Sequence, residues 1–543
     1  MLGTMQDRPL VLPHFFERAE KLFAHKEIVT ATAAGDSRRR SYGEWADRTR
    51  RLAGALDKLG ISADGRVATF CWNTDNHLEL YFAAPCSGRV LHTLNIRLFP
   101  DQLTYIVNHA EDEVIFIDRS LLGLIAPLLG EFSTVKHLVL IDDGAPTELP
   151  DGFEFLDYEE LLAAAEPAEF SVDDENRAAS MCYTSGTTGN PKGVVYTHRS
   201  TWLHTMGVMT ADSLGACERD VILPVVPMFH ANAWGLAHAA VASGASLVFP
   251  GPQMAPEPIA DMIVEEKVTV AAGVPTIWMG VLPALQGKDT SSLRAIPCGG
   301  SAVPTVLSEG YREQVGLPIL QAWGMTETSP VASVAKLTSE MEEFDEEAKV
   351  KLRAAQGMPV LGVELRIADQ VTGEAQPWDG ESQGEIQVAG PWITADYYND
   401  DRAPQSFTAD GWLRTGDVAV VTPEGFVRIV DRTKDVVKSG GEWVSSVELE
   451  NEIMAHPKVA EAAVIGVAHP KWSERPLACV VVAEGEELTK DDVIDFLDGR
   501  VAKWWLPDDV VFIDEVPKTS VGKFSKKDLR ERFADYELPT AND

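Results

Sequence analysis

Between residues 66 and 272 short apolar runs alternate with helical patterns, and no other feature constrains the fold as strongly. Arg66–Cys71, Val114–Asp118, His137–Ile141, Val221–Val226, Ser246–Phe249 and Val268–Ala272 read as strands. Helical patterns lie between several of them, including Pro258–Glu266 and Pro275–Leu285, and Ser41–Gly60 upstream reads as an amphipathic helix. Strands alternating with helices predict a mostly parallel, doubly wound sheet. From about Val363 the period changes. Val363–Ala368, Gly384–Ala389, Val418–Val421 and Gly425–Val430 alternate apolar with polar residues between Gly- or Pro-containing turns, which predicts an antiparallel, barrel-like subdomain. After Asp431-Arg432 a second α/β unit follows, with helices near Ser446–Met454 and Lys490–Leu497 and strands at Ala462–Val467 and Leu477–Val482. A chain of 543 residues is too long for one core, so a boundary near residue 432 is expected.

Forty-seven Lys and Arg against 83 Asp and Glu leave a net charge of −36, which argues against a nucleic-acid partner. Any anionic ligand then needs a locally basic pocket inside a repulsive field; the plain reading of the acidity itself is solubility. The acidic run Glu340–Glu347 reads as a solvated face. Cys71, Cys86, Cys182, Cys217, Cys298 and Cys479 are scattered without a CxxC pair, which fits a reducing cytoplasm better than a disulfide framework. The first 25 residues carry Asp7, Arg8, Glu17, Arg18 and Glu20 and resemble no signal peptide. Val221–Pro256 has no Asp, Glu, Lys or Arg, and about 20 apolar residues can span a bilayer. Pro224, Pro227, Pro250, Gly235 and Gly244 break it up, so a buried strand–loop–helix–strand is expected and no transmembrane segment.

The segment Tyr183-Thr-Ser-Gly-Thr-Thr-Gly-Asn-Pro-Lys-Gly193 carries the most chemistry. Its three glycines allow close backbone approach to phosphate oxygens, four Ser/Thr hydroxyls add donors, and Lys192 adds charge. It is not a Walker loop, because Pro191 stands where that motif has glycine before its lysine. A loop of this composition also serves elsewhere as a plain turn.

The loop resembles the phosphate loop of the adenylate-forming superfamily, which contains acyl-CoA synthetases, adenylation domains and beetle luciferases. Gln321-Ala-Trp-Gly-Met-Thr-Glu-Thr-Ser-Pro330 matches the family's second core motif. Leu413-Arg-Thr-Gly-Asp417, Asp431-Arg-Thr-Lys-Asp435, Lys438-Ser-Gly-Gly-Glu442 and Pro517-Lys-Thr-Ser-Val-Gly-Lys523 follow in family order. Over nearly its whole length the chain is most similar to bacterial medium- and long-chain fatty acyl-CoA synthetases. The resemblance implies a large N-terminal domain, residues 1–431, of doubly wound sheets with a small β-barrel subdomain over about 360–431. A hinge at 432–435 and a small mobile α+β lid, 436–543, complete the expected fold.

By the same resemblance the chain activates a medium- or long-chain fatty acid with ATP as an acyl-adenylate, releasing pyrophosphate, and passes the acyl group to CoA. A carboxylate attacking the α-phosphate brings two anions together, so charge neutralisation and in-line positioning dominate and no enzyme nucleophile is needed. Thr184, Ser185, Gly186, Thr187, Thr188, Gly189 and Lys192 are expected on the phosphates. Gly300, Ser301, Gln321, Ala322, Trp323 and Gly324 are expected about the nucleotide, with Asp417 and Arg432 on the ribose. Thr326 would contact the α-phosphate, and Glu327 with Thr184 would hold Mg²⁺, which commonly takes one or two carboxylates plus substrate phosphates. Outside the family context Glu327 reads as a surface carboxylate, Asp417 and Arg432 as a surface ion pair, and Gly299 and Gly300 as a turn. Lys523, on a C-terminal loop, would bridge carboxylate and α-phosphate; a lone terminal lysine is ordinarily solvated. Lys434 falls at the hinge, and Lys438, Gly440, Gly441, Glu442 and Trp443 would approach the thiol after rotation. His230 stands near the acyl carboxylate in the family pattern, or is a buried structural histidine.

Phe229, Trp234, Gly299 and Gly324 are expected at the acyl pocket, walled by Val221–Pro256, where no carboxylate stands to clamp an α-amino group. Relatives that use short or sulfur-containing acids such as 3-methylthiopropionate leave chain length open, as do aryl-acid ligases. Peripheral membrane contact and a homodimer stay open as well. A carrier-loading adenylation enzyme and a non-catalytic acyl or nucleotide sensor are the alternatives of another class.

Overall fold

A computed structural model of the chain describes all residues except 2, 185–189, 371, 433–434, 440–441, 519–523 and 540–543. The alternation seen in the sequence becomes two mostly parallel sheets. The first runs in space Phe155–Asp157, His137–Ile141, Asp112–Asp118, Arg66–Phe70, Val90–Thr93, Ala178–Tyr183, Gly193–Thr197, with only the last pair antiparallel. The second runs Val270–Ala272, Val221–Pro224, Ser246–Phe249, Glu27–Ala31, Ser37–Ser41, again parallel except at its final edge. Parallel bridges Val270–Ala295 and Gly273–Cys298 carry it on toward Pro297–Cys298 and Leu320–Gly324.

The central strands are apolar throughout because helices cover both faces. One core draws Val67, Val114, Phe116 and Val139 from the first sheet and Ile28, Ile222, Leu247 and Phe249 from the second, with Phe16, Trp45, Leu78 and Phe82 from the helices between. Trp45 and Phe82 meet edge to face at 5.4 Å, and each such side chain contributes about 1.5–3 kcal/mol by leaving water. The predicted helix after Ser41 spans Tyr42–Lys58, started by a capping box in which Ser41 and Glu44 exchange backbone hydrogen bonds.

The uncharged stretch folds as expected, into a strand, the short turn Ala231–Gly235, the helix Leu236–Ser243 and a strand. No described helix is long and apolar enough to cross a membrane. Its first strand stops at Pro224, two residues short of the expectation, because the Val225 N–H turns to the Leu223 and Ala272 carbonyls.

Glu364–Ala368, Gly384–Ala389, Leu413–Val421 and Val427–Arg432 form an antiparallel sheet in chain order. An antiparallel bridge, Gly357–Val427, joins its last strand to the chain just before Met358–Pro359. The third of these strands starts at Leu413 rather than Val418, so the Leu413–Asp417 motif is itself strand. The last five-stranded sheet is built on Val459–His469 and Ser473–Val482. Alternating residues of those strands face opposite ways: Val464 and Val480 pack with Leu449, Ile453 and Leu497, whereas Ile465 and Leu477 pack with Leu529.

Candidate active site

Loops leaving the carboxyl ends of parallel strands meet around a cavity of about 770 Å³, the place where open α/β sheets bind ligands. Thr184 follows Ala178–Tyr183, Gly299 follows Pro297–Cys298, and Gln321–Gly324 closes its own strand. The antiparallel sheet adds Asp417 and Arg432, and the C-terminal unit adds Glu450, Lys526 and Arg530. Among the described residues, seven Lys and Arg and six Asp and Glu line this cavity, so it is close to charge-balanced inside a chain of net charge −36, which spares an anionic ligand much of the repulsive field.

Thr184 and Lys192 pair on the cavity wall. The Thr184 N–H donates to the Lys192 carbonyl at 2.9 Å, and the Lys192 N–H donates to Thr184 Oγ1 at 3.1 Å. The Lys192 ammonium lies 4.3 Å from the centre of the Tyr397 ring and donates to Ser406 Oγ at 3.1 Å. Ser185, Gly186, Thr187, Thr188 and Gly189 lie outside the described residues. Thr326 is fixed through its backbone, where its carbonyl accepts from the Tyr196 hydroxyl at 2.7 Å. Glu327 is 6% exposed and accepts from the Tyr397 hydroxyl at 2.7 Å. Burial pushes its carboxyl above the usual range, opposed chiefly by that hydrogen bond.

On the antiparallel sheet Asp417 and Arg432 face each other across two paired strands. The Trp323 indole N–H donates to Asp417 Oδ2 at 2.9 Å, and Arg432 Nε reaches Asp417 Oδ1 at 3.0 Å. Gln321 accepts from the Val303 N–H at 3.1 Å and donates to the Ala354 carbonyl at 3.3 Å, so its amide holds the cavity wall. Glycine is required at 299 and 324 by close approach: a Cβ on Gly299 would stand 2.8 Å from the Ala322 carbonyl, and one on Gly324 would collide with that of Pro330.

His230, Ala231, Trp234, Leu214, Pro275, Met279 and Val331 also line the cavity. Ala231, Asn232, Ala233, Trp234 and Gly235 form a left-handed turn, with φ between 43° and 76°. Asn232 anchors it, donating to Ser180 Oγ at 3.0 Å and accepting from Cys182 Sγ at 3.4 Å.

The structure thus brings together on one cavity Thr184, Lys192, His230, Trp234, Gly299, Gly300, Ser301, Gln321–Gly324, Thr326, Glu327, Asp417 and Arg432. It does not bring Phe229 there. That ring sits in the core with Met181, Tyr183 and Leu94, 3% exposed, because the chain reverses between it and His230. This corrects its expected place at the acyl pocket. Lys434, Gly440, Gly441 and Lys523 lie outside the described residues; Lys438, Glu442 and Trp443 belong to the paired strands Val437–Ser439 and Glu442–Val444. Sequence reasoning missed Tyr397, Ser406, Lys526 and Arg530, which lie in no phosphate- or metal-type motif.

A family model described as AMP-binding enzyme matches residues 15–398, and one described as AMP-binding enzyme C-terminal domain matches 448–523. The chain belongs to the AMP-binding enzyme family. A 3-methylmercaptopropionyl-CoA ligase of Ruegeria lacuscaerulensis is 45% identical, over 98% of this chain and 99% of that protein. A long-chain-fatty-acid–CoA ligase of Thermus thermophilus is 47% identical, over 98% and 97%. Among solved structures, ATP-bound MatB from Rhodopseudomonas palustris superposes with a TM-score of 0.82 at 29% identity, covering 97% of this chain and 99% of that one. The fold of this AMP-binding enzyme is that of the adenylate-forming superfamily.

Proposed function

We propose that the protein is an ATP-dependent, AMP-forming acid–CoA ligase whose acid is aliphatic, uncharged beyond its carboxylate, and of short to medium length. The observation that carries the reading of the acid is the uncharged, apolar part of the cavity lining around Trp234. Trp234 packs so near Gly299 that a Cβ there would stand 3.5 Å from the indole, and Leu214, Pro275, Met279 and Val331 supply apolar walls. Ala233, Leu236 and Ala237, next along the chain, are fully buried in the core rather than lining the cavity. The 45% identity to a ligase named for 3-methylmercaptopropionate supports a small acid. A long-chain acid is the second reading, favoured by the 47% identity to the Thermus protein.

In the first step a carboxylate oxygen forms a bond to the α-phosphorus and the bond to the bridging oxygen breaks, releasing pyrophosphate. In the second the thiol sulfur bonds to the acyl carbon, the thiol proton leaves, and AMP departs with the electrons of the broken C–O bond. Asp417 and Arg432 hold the ribose, while Thr184, Lys192 and Thr326 draw the phosphates into line. No cluster of His, Cys, Asp or Glu among the described residues could hold a metal alone. The buried Glu327 carboxylate on the cavity, which accepts from the Tyr397 hydroxyl, fits Mg²⁺ taken up together with phosphate oxygens and Thr184. When bound, the ion neutralises phosphate charge. Lys523 serves the first step only, Lys434 sits at a hinge over 432–435, and the C-terminal unit then turns Lys438–Trp443 toward the thiol.

AMP release measured across acid chain lengths, with and without CoA, tests this reading. CoA-dependent release that peaks with short or medium acids is expected. Acid-dependent release indifferent to CoA overturns the ligase in favour of a carrier loader, and a peak at long chains overturns the short-acid reading. Lys523→Ala should abolish adenylate formation and spare thioester formation from supplied acyl-AMP; equal loss of both contradicts the rotation.

A further inference from the structure

Lys192 and Glu327 carry opposite charges on the wall of one cavity, yet in the structure each binds Tyr397 instead of the other. If they met, the phosphate-directed ammonium and the metal-directed carboxylate would neutralise each other. We propose that Tyr397 is a positioning residue whose ring holds Lys192 and whose hydroxyl holds Glu327, keeping the two apart and aimed into the cavity.

The backbone on either side of Tyr397 is tied to both partners. Three residues before it, the Thr394 N–H donates to the carbonyl of Glu327 itself at 2.8 Å. One residue after it, the Tyr398 N–H donates to the carbonyl of Gly193, the residue following Lys192, at 2.8 Å. Farther on, Arg402 Nη2 reaches the Asn190 carbonyl at 3.2 Å, so the same segment clasps the end of the phosphate loop twice. Tyr397 is 7% exposed, with the Phe407 ring 6.1 Å away, and its side chain is held between those ties. The ring face attracts the ammonium through its quadrupole without neutralising it. The hydroxyl orients one carboxylate oxygen and leaves the other lone pairs to a cation.

The inference rests on reading the cavity as the ATP site, and two variants separate its halves. Tyr397→Phe keeps the ring beneath Lys192 and removes the donor to Glu327; Tyr397→Leu removes both. Mn²⁺ binding is followed by electron paramagnetic resonance with a non-hydrolysable ATP analogue present, and ATP binding is measured by calorimetry in EDTA. Tyr397→Phe should lose about 10-fold in Mn²⁺ affinity and keep the wild-type affinity for metal-free ATP. Tyr397→Leu should lose about 10-fold in metal-free ATP affinity as well, since Lys192 is released to pair with Glu327. Wild-type Mn²⁺ affinity in Tyr397→Phe, or equal metal-free ATP affinity in the two variants, overturns the inference. Wild-type protein that binds no ATP overturns the ATP-site reading instead.

Discussion

The Asp417 carboxylate is shared by the Trp323 indole and the Arg432 guanidinium, and both oxygens keep lone pairs for the ribose proposed there. Asp417→Asn retains the shape, removes the charge, and turns one acceptor into a donor facing either an N–H or the guanidinium. Charge-assisted hydrogen bonds contribute about 1.5–3 kcal/mol, so AMP affinity measured by calorimetry should fall by about 10- to 100-fold. Unchanged affinity would show that Asp417 only holds Arg432. The motif marks Asp417 in the sequence, but Trp323 as its partner depends on a strand 94 residues away. Tyr397 lies 70 residues from Glu327, and nothing local announces it. His204 shows the same dependence. Its imidazole accepts from the Val331 N–H at 3.1 Å, and burial holds its pKa down to about 3.

Among the elements, the left-handed turn Ala231–Gly235 is the least expected from sequence. Four successive non-glycine residues there have positive φ, at about 1–2 kcal/mol each. The turn persists because Asn232 is bound on two sides and Leu236–Ser243 continues it into the core. It ends at Gly235, where φ is +76° and a Cβ would stand 2.7 Å from the His204 ring. Gly235→Ala should therefore lower unfolding free energy by at least about 2 kcal/mol, read from denaturant midpoints. A change below that would mean that the turn relaxes. The regular elements were far more legible. Helix Ser446–Met454, helix Lys490–Leu497 and strand Gly384–Ala389 have the bounds their periodicity predicts, since period and caps are local. The start of Leu413–Val421 is not legible as strand because polar Thr415 and Asp417 stand at its inward positions, while its partner strands supply the missing order.

Over the whole molecule, buried charge makes stability depend on pH in opposing ways. Burial holds His77, His198, His204 and His238 neutral, with pKa values of about 4, 4, 3 and 4. A depressed folded pKa gives stability that is present above the unfolded value near 6.5 and is lost as pH falls toward the folded one. The buried carboxyls of Glu79, Asp112 and Glu327 are shifted up, so they add stability over part of the same range. A single histidine is isolated by comparing the wild type with His204→Gln. The stability difference between them should shrink by about 2 kcal/mol from pH 7.5 to pH 5, measured by denaturation at each pH. A constant difference would show that His204 titrates normally.

The sequence by itself determined the alternation that makes two parallel sheets, the change of period that makes an antiparallel one, and the motif residues of an adenylate-forming site. Each of these is written within a few neighbouring residues, as period, cap or motif. Only the tertiary structure decided that Phe229 belongs to the core while His230 and Trp234 face the cavity. It also placed Trp234 against Gly299 and set Tyr397 between Lys192 and Glu327. Those arrangements join side chains from strands and loops far apart in the chain, where burial and hydrogen bonding are settled by packing rather than by local pattern.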